Sequence, residues 1–319
     1  MGEALATMKI AVLIPCYNEE RAIAKTVGAF KAALPAAAIY VYDNASTDRT
    51  AAVAAQAGAL VRKEPLKGKG NVVRRMFADI EADIYVLTDG DETYHAPSAP
   101  AMVARLLDDN LDMVVGRRRE NGPGAAYRIG HRFGNRVLTG TVAAIFGRRL
   151  DDMLSGYRVF SRRFVKSFTA FSSGFETETE MTVHALALRL PVAEVDTPYG
   201  ARPDGSASKL RTVRDGFRIL MTIFNLFRGE RPLAFFSIVG ALLALLSILL
   251  AVPVVVGFIE TGLVLRFPTA ILATGLMLLA FLSLASGFIL DAVTAQRREV
   301  KRLHYLAQLS PAASANVER

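Results

Sequence analysis

Through the first part of the chain, short apolar runs alternate with longer segments of helical spacing. Met8–Pro15 is apolar nearly throughout, which predicts a strand buried on both faces. The same pattern places strands at Ala38–Tyr42, Leu60–Lys63, Ile84–Leu87 and Asp112–Gly116. Helices are predicted between them, near Ala22–Leu34, Asp48–Ala57, Gly70–Ile80 and Pro100–Asp108. Ser46 or Thr47 is the expected N-cap of the second. Repeated β-α alternation of this kind predicts an α/β fold with a doubly wound, mostly parallel sheet.

The pattern changes near the C-terminus. Pro232–Ile259 and Phe267–Leu290 contain no charged residue, and each exceeds the roughly 20 apolar residues a bilayer-crossing helix needs. Pro253 falls near the end of the first run, where a kink or an exit is tolerated. Ahead of these runs, Leu210, Val213, Phe217, Leu220, Met221 and Phe224 follow helical spacing, with Arg211, Arg214 and Arg218 on an adjoining arc. That predicts an interfacial amphipathic helix leading into a two-helix transmembrane hairpin. Arg128, Arg132 and Arg136 form a second basic stripe, beside Ile129, Phe133 and Val137. The expected organisation is a catalytic domain over 1–207, an interfacial helix over 208–231, two membrane helices within 232–290 and a basic tail over 291–319.

Charge adds an orientation. The net charge is +8, and Arg228 and Arg231 precede the first run while Arg297, Arg298, Lys301 and Arg302 follow the second. Only Arg266 lies between the runs, so both flanks and both termini are expected in the cytoplasm and Gly262–Arg266 outside, as in a multi-pass inner or plasma membrane protein. No signal peptide is expected, because Lys9 leads into a strand-like run with no cleavage site. The basic balance points to anionic lipid and phosphorylated substrates, and no nucleic-acid motif is present. Cys16 is the single cysteine, so no disulfide forms within one chain, and no His pattern marks it as a nucleophile.

Candidate chemistry gathers after the strands. Thr88-Asp89-Gly90-Asp91 follows Ile84–Leu87, and side-chain alternation puts Asp89 and Asp91 on one side of an extended backbone. Such a pair suits Mg²⁺ or Mn²⁺ that also holds a diphosphate. Tyr17 and Glu19, Asp43, Lys67 and Lys69, and Arg117 also follow strands, where ligands bind in open α/β sheets. No Gly-x-Gly-x-x-Gly opens the first helix, and Lys67-Gly68-Lys69-Gly70 lacks the spacing of a phosphate-binding loop. Glu176, Glu178 and Glu180 are general-base candidates by type, but at their spacing they cannot all face one site, and a solvated helix start is the plainer expectation; His131 is expected to be a surface or hydrogen-bonded residue.

In order and spacing, several segments resemble the family-2 glycosyltransferases of GT-A fold. They are Ile14–Glu19, Asp43–Thr50, Gly68–Gly70 and Asp89–Asp91. Gly116-Arg117, Asp152–Arg158 and Arg202–Leu210 are similar to the dolichyl- and polyprenyl-phosphate sugar synthases, of the dolichol-phosphate mannose synthase type. The resemblance spans about Lys9–Leu210. It implies a nucleotide-sugar donor, a divalent metal and a polyprenyl-phosphate acceptor at the cytoplasmic membrane face. Pro15, Tyr17, Glu19 and Asp43 would line the nucleoside pocket, with Lys69 among the donor-binding residues; Arg202 with Lys209 would close a basic loop over the donor and acceptor phosphates. Asp89 and Asp91 would hold the metal, Arg117 would meet phosphate near the acceptor, and Arg128 and Arg132 would face the acceptor phosphate. Asp152 is the expected carboxylate for orienting the acceptor. The family often carries two acids where this chain has Asp43-Asn44, and a Gln or apolar residue where it has Glu92-Thr93-Tyr94.

The expected reaction is transfer of a hexose-type sugar by single displacement with inversion, with UDP-sugar favoured over GDP-mannose as donor. A lipid monophosphate is already anionic near neutral pH, which reduces the need for a general base and leaves open whether one is used. Three other readings are weaker. A processive polysaccharide synthase would carry a Gln-x-x-Arg-Trp motif, and this chain has no Trp. A nucleotidyltransferase would leave the two apolar runs without a purpose. A non-catalytic membrane-tethered binding protein would not need the acids and bases retained. A homo-oligomer is left open.

Overall fold

The computed structural model describes residues 8–120, 139–140, 142–143, 147, 150–169, 177–200, 221, 224–225, 227–311 and 313. The chain divides into two compact units, Met1–Ile219 with Val300–Arg319, and Leu220–Glu299.

The first unit is built on one mixed sheet, with seven strands among the described residues. In chain order they are β1 (Ile10–Cys16), β2 (Ala38–Asp43), β3 (Leu60–Lys63), β4 (Ile84–Leu87), β5 (Met113–Glu120), β6 (Arg158–Ser161) and β7 (Val192–Tyr199). Across the sheet they run β3-β2-β1-β4-β6-β5-β7. Val12, Leu13 and Ile14 are fully buried, as a central strand covered on both faces requires. Helices α1 (Ile23–Ala33), α2 (Thr50–Gln56), α3 (Lys69–Asp79) and α4 (Ala99–Asp108) fill the crossovers. Ile23, Val27 and Phe30 of α1 and Met102, Val103 and Leu106 of α4 pack into the cluster under β1, β2 and β4.

The strands sit within a residue or two of their predicted places, except that β5 runs on to Glu120, beyond the predicted Gly116. The larger departure is β6, which lies antiparallel between β4 and β5. An apolar run reveals burial but not direction, so the alternation could not show this reversal. It matters for the site. Arg158 pairs with Leu87, so the segment before β6 arrives beside the carboxyl end of β4. Two further helices follow β6, α5 (Arg162–Ser167) and α6 (Thr177–Ala187).

β1 is the switch point. Its neighbours β2 and β4 lie on opposite sides, and all three run parallel, so their carboxyl ends open one crevice.

The second unit holds a helical hairpin of α7 (Pro232–Thr261) and the part of α8 (Phe267–Leu306) up to Glu299. Both are long and apolar enough to cross a membrane, and their apolar stretches are almost wholly exposed, unlike a soluble core helix. Pro253 sits inside α7 without ending it; the terminator is Gly262, at φ 69°, whose N–H bonds Phe258 O at 2.8 Å. The helices touch where side chains are small. Gly240 lies against Ala280, and Gly287 against Leu233 and Phe236. Ser247 donates to Ala273 O at 2.7 Å and Ser283 to Phe236 O at 2.9 Å. At one end, Glu230 pairs with Arg297 and Arg298, so the basic flanks of the two runs meet there. The interfacial helix expected before α7 falls largely outside the described residues.

Candidate active site

The loops after β1 and β2 are knitted together by short polar side chains. Asn18 takes a left-handed conformation, φ 54°, which its side chain tolerates, and its Oδ1 accepts from Thr47 N at 2.8 Å. Ser46 Oγ accepts from Asn18 N, and Thr50 Oγ1 accepts from Glu19 N. This corrects the cap assignment. Ser46 and Thr47 serve the neighbouring loop, while Asp48 Oδ1 accepts from the backbone and hydroxyl of Thr50 at the start of α2. Those hydrogen bonds hold the Asp48 carboxyl below the ordinary range, against the opposing influence of burial.

Asp43 ends β2 inside this crevice. It is buried, and its Oδ1 has no hydrogen-bond partner among the described residues. A buried acceptor with no protein partner beside a crevice is open to a donor from water or a ligand. Asn44 beside it is fully committed. Its amide donates to Glu64 O and Leu66 O, and its Oδ1 accepts from Gly68 N, so it fixes the loop from Glu64 to Gly68. Lys67, on that loop, lies over the Tyr17 ring at 5.5 Å. Pro15 and Glu19 are half-buried on the same rim.

The acidic pair follows β4. Asp91 is buried, and its Oδ1 accepts from the Thr93 hydroxyl at 2.6 Å and the Thr93 backbone at 3.3 Å. Asp89 is half-buried and paired with Lys69, Nζ to Oδ1 2.5 Å. Gly90 between them has no room for a side chain, since a Cβ would meet Cys16 Sγ. The Cys16 thiol records the crowding. Burial pushes its pKa up, and the charges of Glu19, Asp89, Asp43 and Asp91 push it further, so it is an inert structural thiol.

Glu178 overturns its expectation. Instead of a solvated residue at a helix start, it is a buried carboxylate whose Oε1 lies 2.5 Å from Lys69 Nζ. Lys69 therefore bridges Asp89 and Glu178. Glu180 is half-buried, and Glu176 lies outside the described residues. The helix-start spacing carried no signal for the burial of Glu178, because its partners lie elsewhere in the chain.

Do these residues fit a divalent cation? Asp89 and Asp91 supply hard oxygen donors, and no cluster of three His, Cys, Asp or Glu forms a protein-only cage among the described residues. Two carboxylates that leave room for phosphate oxygens suit Mg²⁺ or Mn²⁺. They fit.

Along β5, Arg117 is held by Asp196 at 2.5 Å and Asp151 at 2.6 Å, which strengthens its hold on its proton. Asp152 is buried against Arg118, and its backbone N–H, like that of Asp151, bonds Glu194. Arg158, wholly buried, donates to Ser155 O, Met153 O and Thr182 Oγ1, and so sets the loop from Met153 to Ser155. Burial pushes its pKa down to about 10. Sequence reasoning included Arg158 in a motif without assigning it this bracing part. Arg128, Arg132, Arg202 and Lys209 lie outside the described residues.

A switch-point crevice with a buried acid at the end of β2, a braced basic loop and an Asp-Gly-Asp turn after β4 is the arrangement of a GT-A type fold. The chain belongs to glycosyl transferase family 2, whose model matches residues 11–168. It is 37% identical over 233 residues to glycosyltransferase AglJ of Haloferax volcanii, covering 72% of this chain and 76% of that one. It is 26% identical to a dolichyl-phosphate hexose transferase of the same organism, covering 70% of this chain and 95% of the relative. Among solved structures it is similar in fold to glucosyl-3-phosphoglycerate synthase of Mycobacterium tuberculosis in complex with Mn²⁺, UDP-glucose and phosphoglyceric acid. There the TM-score is 0.57 at 24% identity, over 70% of this chain and 80% of that one.

Proposed function

We propose that this chain transfers a hexose-type sugar from a nucleotide-sugar to a polyprenyl phosphate at the cytoplasmic face of a membrane. The observation that carries the reading is the Asp89-Gly90-Asp91 turn at the switch point of the sheet, on the same chain as two helices long enough to cross a bilayer. Support comes from the relative named as a dolichyl-phosphate hexose transferase, and from the neighbour in fold that holds Mn²⁺ and UDP-glucose. The meeting of Glu230 with Arg297 and Arg298 supports a hairpin whose basic flanks share the cytoplasmic side. The proposed organisation is a catalytic domain over 1–207, an interfacial helix over 208–231, membrane helices within 232–290 and a cytoplasmic tail over 291–319.

The mechanism divides among the loops. Asp43 accepts a base N–H, with Tyr17 and Pro15 forming the walls of the nucleoside pocket. Asp89 and Asp91 would hold Mg²⁺ or Mn²⁺, which when bound supplies charge neutralisation for the departing nucleoside diphosphate. Lys69 places a further positive charge beside the metal pair. Arg117, together with Arg202 and Lys209, attracts phosphate, and Asp152 orients the acceptor. The acceptor phosphate is an anion that attacks the anomeric carbon directly, so one displacement with inversion needs only positioning. A UDP-sugar is the favoured donor, with GDP-mannose as the alternative.

The test is transfer of radiolabelled sugar to undecaprenyl phosphate by the purified chain, over a panel of UDP- and GDP-sugars, with and without Mn²⁺ and beside Asp91→Ala. A chloroform-soluble, metal-dependent product lost in the variant supports the proposal and identifies the donor. Donor turnover with no lipid product points to another acceptor. No donor binding and no turnover in the folded chain would overturn it.

A further inference from the structure

Lys69 and Glu178 form an arrangement that the proposed transfer does not require. Lys69 Nζ stands 2.5 Å from Asp89 Oδ1 and 2.5 Å from Glu178 Oε1. Glu178 is buried and the Lys69 side chain keeps only 10% of its exposure, while Asp89 is half-open to the crevice. The second oxygen of Glu178, Oε2, is buried with no hydrogen-bond partner among the described residues. Gly156 closes the nook, since a Cβ there would come within 2.9 Å of Asp89 Oδ2 and 3.0 Å of Lys69 Nζ.

This geometry contains a competition. An ammonium in contact with Asp89 opposes a divalent cation on the same carboxylate, by repulsion and by occupying its oxygen. A buried lysine cannot simply be abandoned, because an unpaired charge there is costly. Glu178 offers the alternative. Its unused oxygen lets the ammonium give up Asp89 and stay fully paired.

We propose that Lys69 is a resident stand-in for the divalent cation at Asp89, and that Glu178 is the positioning residue that receives Lys69 when the ion binds. The inference rests on reading Asp89 as a metal ligand. It assigns to Glu178 control over the affinity of the site for the ion, apart from any contact with sugar or acceptor. Without metal, Asp89 stays neutralised and the acidic crevice stays assembled. With metal, the ammonium is left beside the diphosphate as a second positive charge.

The measurement is Mn²⁺ alone titrated into the full chain in detergent, with free ion read from its aqueous paramagnetic resonance signal. In Glu178→Gln, Lys69 keeps only Asp89 as an anionic partner, and Mn²⁺ affinity is expected to fall about tenfold. In Lys69→Met combined with Glu178→Gln, no buried charge is left unpaired and the competitor is gone. Mn²⁺ then binds at least as tightly as to the unaltered chain. A purely structural part for the pair would weaken both variants together, so this opposite order is the diagnostic. Thermal melting of each variant confirms that the fold persists. Unchanged affinity in Glu178→Gln, or weaker binding in the double variant than in the single one, would overturn the inference alone. No Mn²⁺ binding to the unaltered chain, with UDP or without it, would overturn the metal reading and this inference together. The expected order of affinities without any lipid product would uphold the inference and remove only the proposed acceptor.

Discussion

Arg118 grips Asp152 through both carboxylate oxygens, with Nη2 2.7 Å from Oδ1 and Nε 2.7 Å from Oδ2. Burial alone would raise the Asp152 pKa, but the hydrogen bonds and charge of Arg118 prevail and hold it below the ordinary carboxylate value. Its folded-state pKa is therefore depressed. The pair contributes its full stability above about pH 4 and loses it as pH falls through the depressed value. Asp152→Asn removes the anion and leaves Arg118 half-satisfied, at an expected cost of about 3 kcal/mol in chemical or thermal unfolding. If the carboxylate orients the acceptor, the same variant binds nucleotide normally and loses transfer. Unchanged turnover would take Asp152 out of that part.

Asn44 gives a second expectation, from a position where the resembled family often has an acid. Its amide donates to Glu64 O and Leu66 O at 2.9 and 2.8 Å, which a carboxylate cannot do. Asn44→Asp would set an anion against two carbonyl oxygens. It should cost about 2–3 kcal/mol and loosen the loop that carries Lys67 and leads into Lys69 at the start of α3. The expected readings are a lower melting temperature, faster proteolysis around residues 64–68 and weaker UDP binding. Wild-type behaviour in all three would mean the brace is dispensable.

These two cases mark what the sequence could and could not reveal. The strands β1, β2 and β4 were legible because a buried strand is an unbroken apolar run, and polar residues after such runs mark the crevice. Asp43, Asp89 and Asp91 were placed at strand ends that way, and they lie at or just after the ends of β2 and β4. Asp152 came from the motif resemblance. Lys69 with Glu178, and Arg158 with Thr182, were hidden because each contact joins segments far apart in the chain. Glu178 was expected in a solvated helix start, yet it is buried on α6 together with Thr177, Thr179 and Thr182. The polar groups of Glu178 and Thr182 face partners from other elements, and periodicity carries no record of such partners. The reversed β6 was hidden for the same reason, since direction depends on connections and not on local pattern.

Gly156 tests the tightness of the crevice from its closing side. Its N–H bonds Tyr94 Oη at 2.8 Å, so the backbone is fixed where a Cβ would press on Asp89 and Lys69. Gly156→Ala should shift the Asp89–Lys69 pair by a few tenths of an ångström, with an overpacking cost of about 1–3 kcal/mol. Because the strain falls on the pair, Mn²⁺ affinity and transfer should both drop at least several-fold while UDP affinity without metal changes little. Equal losses in all three would mean that the whole crevice deforms.

Outside the crevice, the buried imidazole of His184 gives an expectation for acid stability. Its ring is buried between Phe164 and Phe168, with centroids 5.2 and 5.4 Å away, and Nε2 lies 3.0 Å from Ser167 Oγ. Burial, helped by the charge of Lys301, pushes its pKa down to about 3, whereas the unfolded chain titrates near 6.5. Between those values the unfolded state takes up a proton that the folded state refuses. Stability is therefore complete above about pH 6.5 and falls as pH is lowered, by up to about 1.4 kcal/mol per pH unit from this residue. His184→Gln keeps a partner for Ser167 and removes the titration. Melting temperatures of the two proteins, followed from pH 7.5 to about 4.5, should diverge in slope below about pH 6.5, with the variant the flatter. This window lies above that of the Asp152 carboxylate, so the two effects separate along one pH series. Parallel curves would show that the buried imidazole is not what makes the fold acid-sensitive.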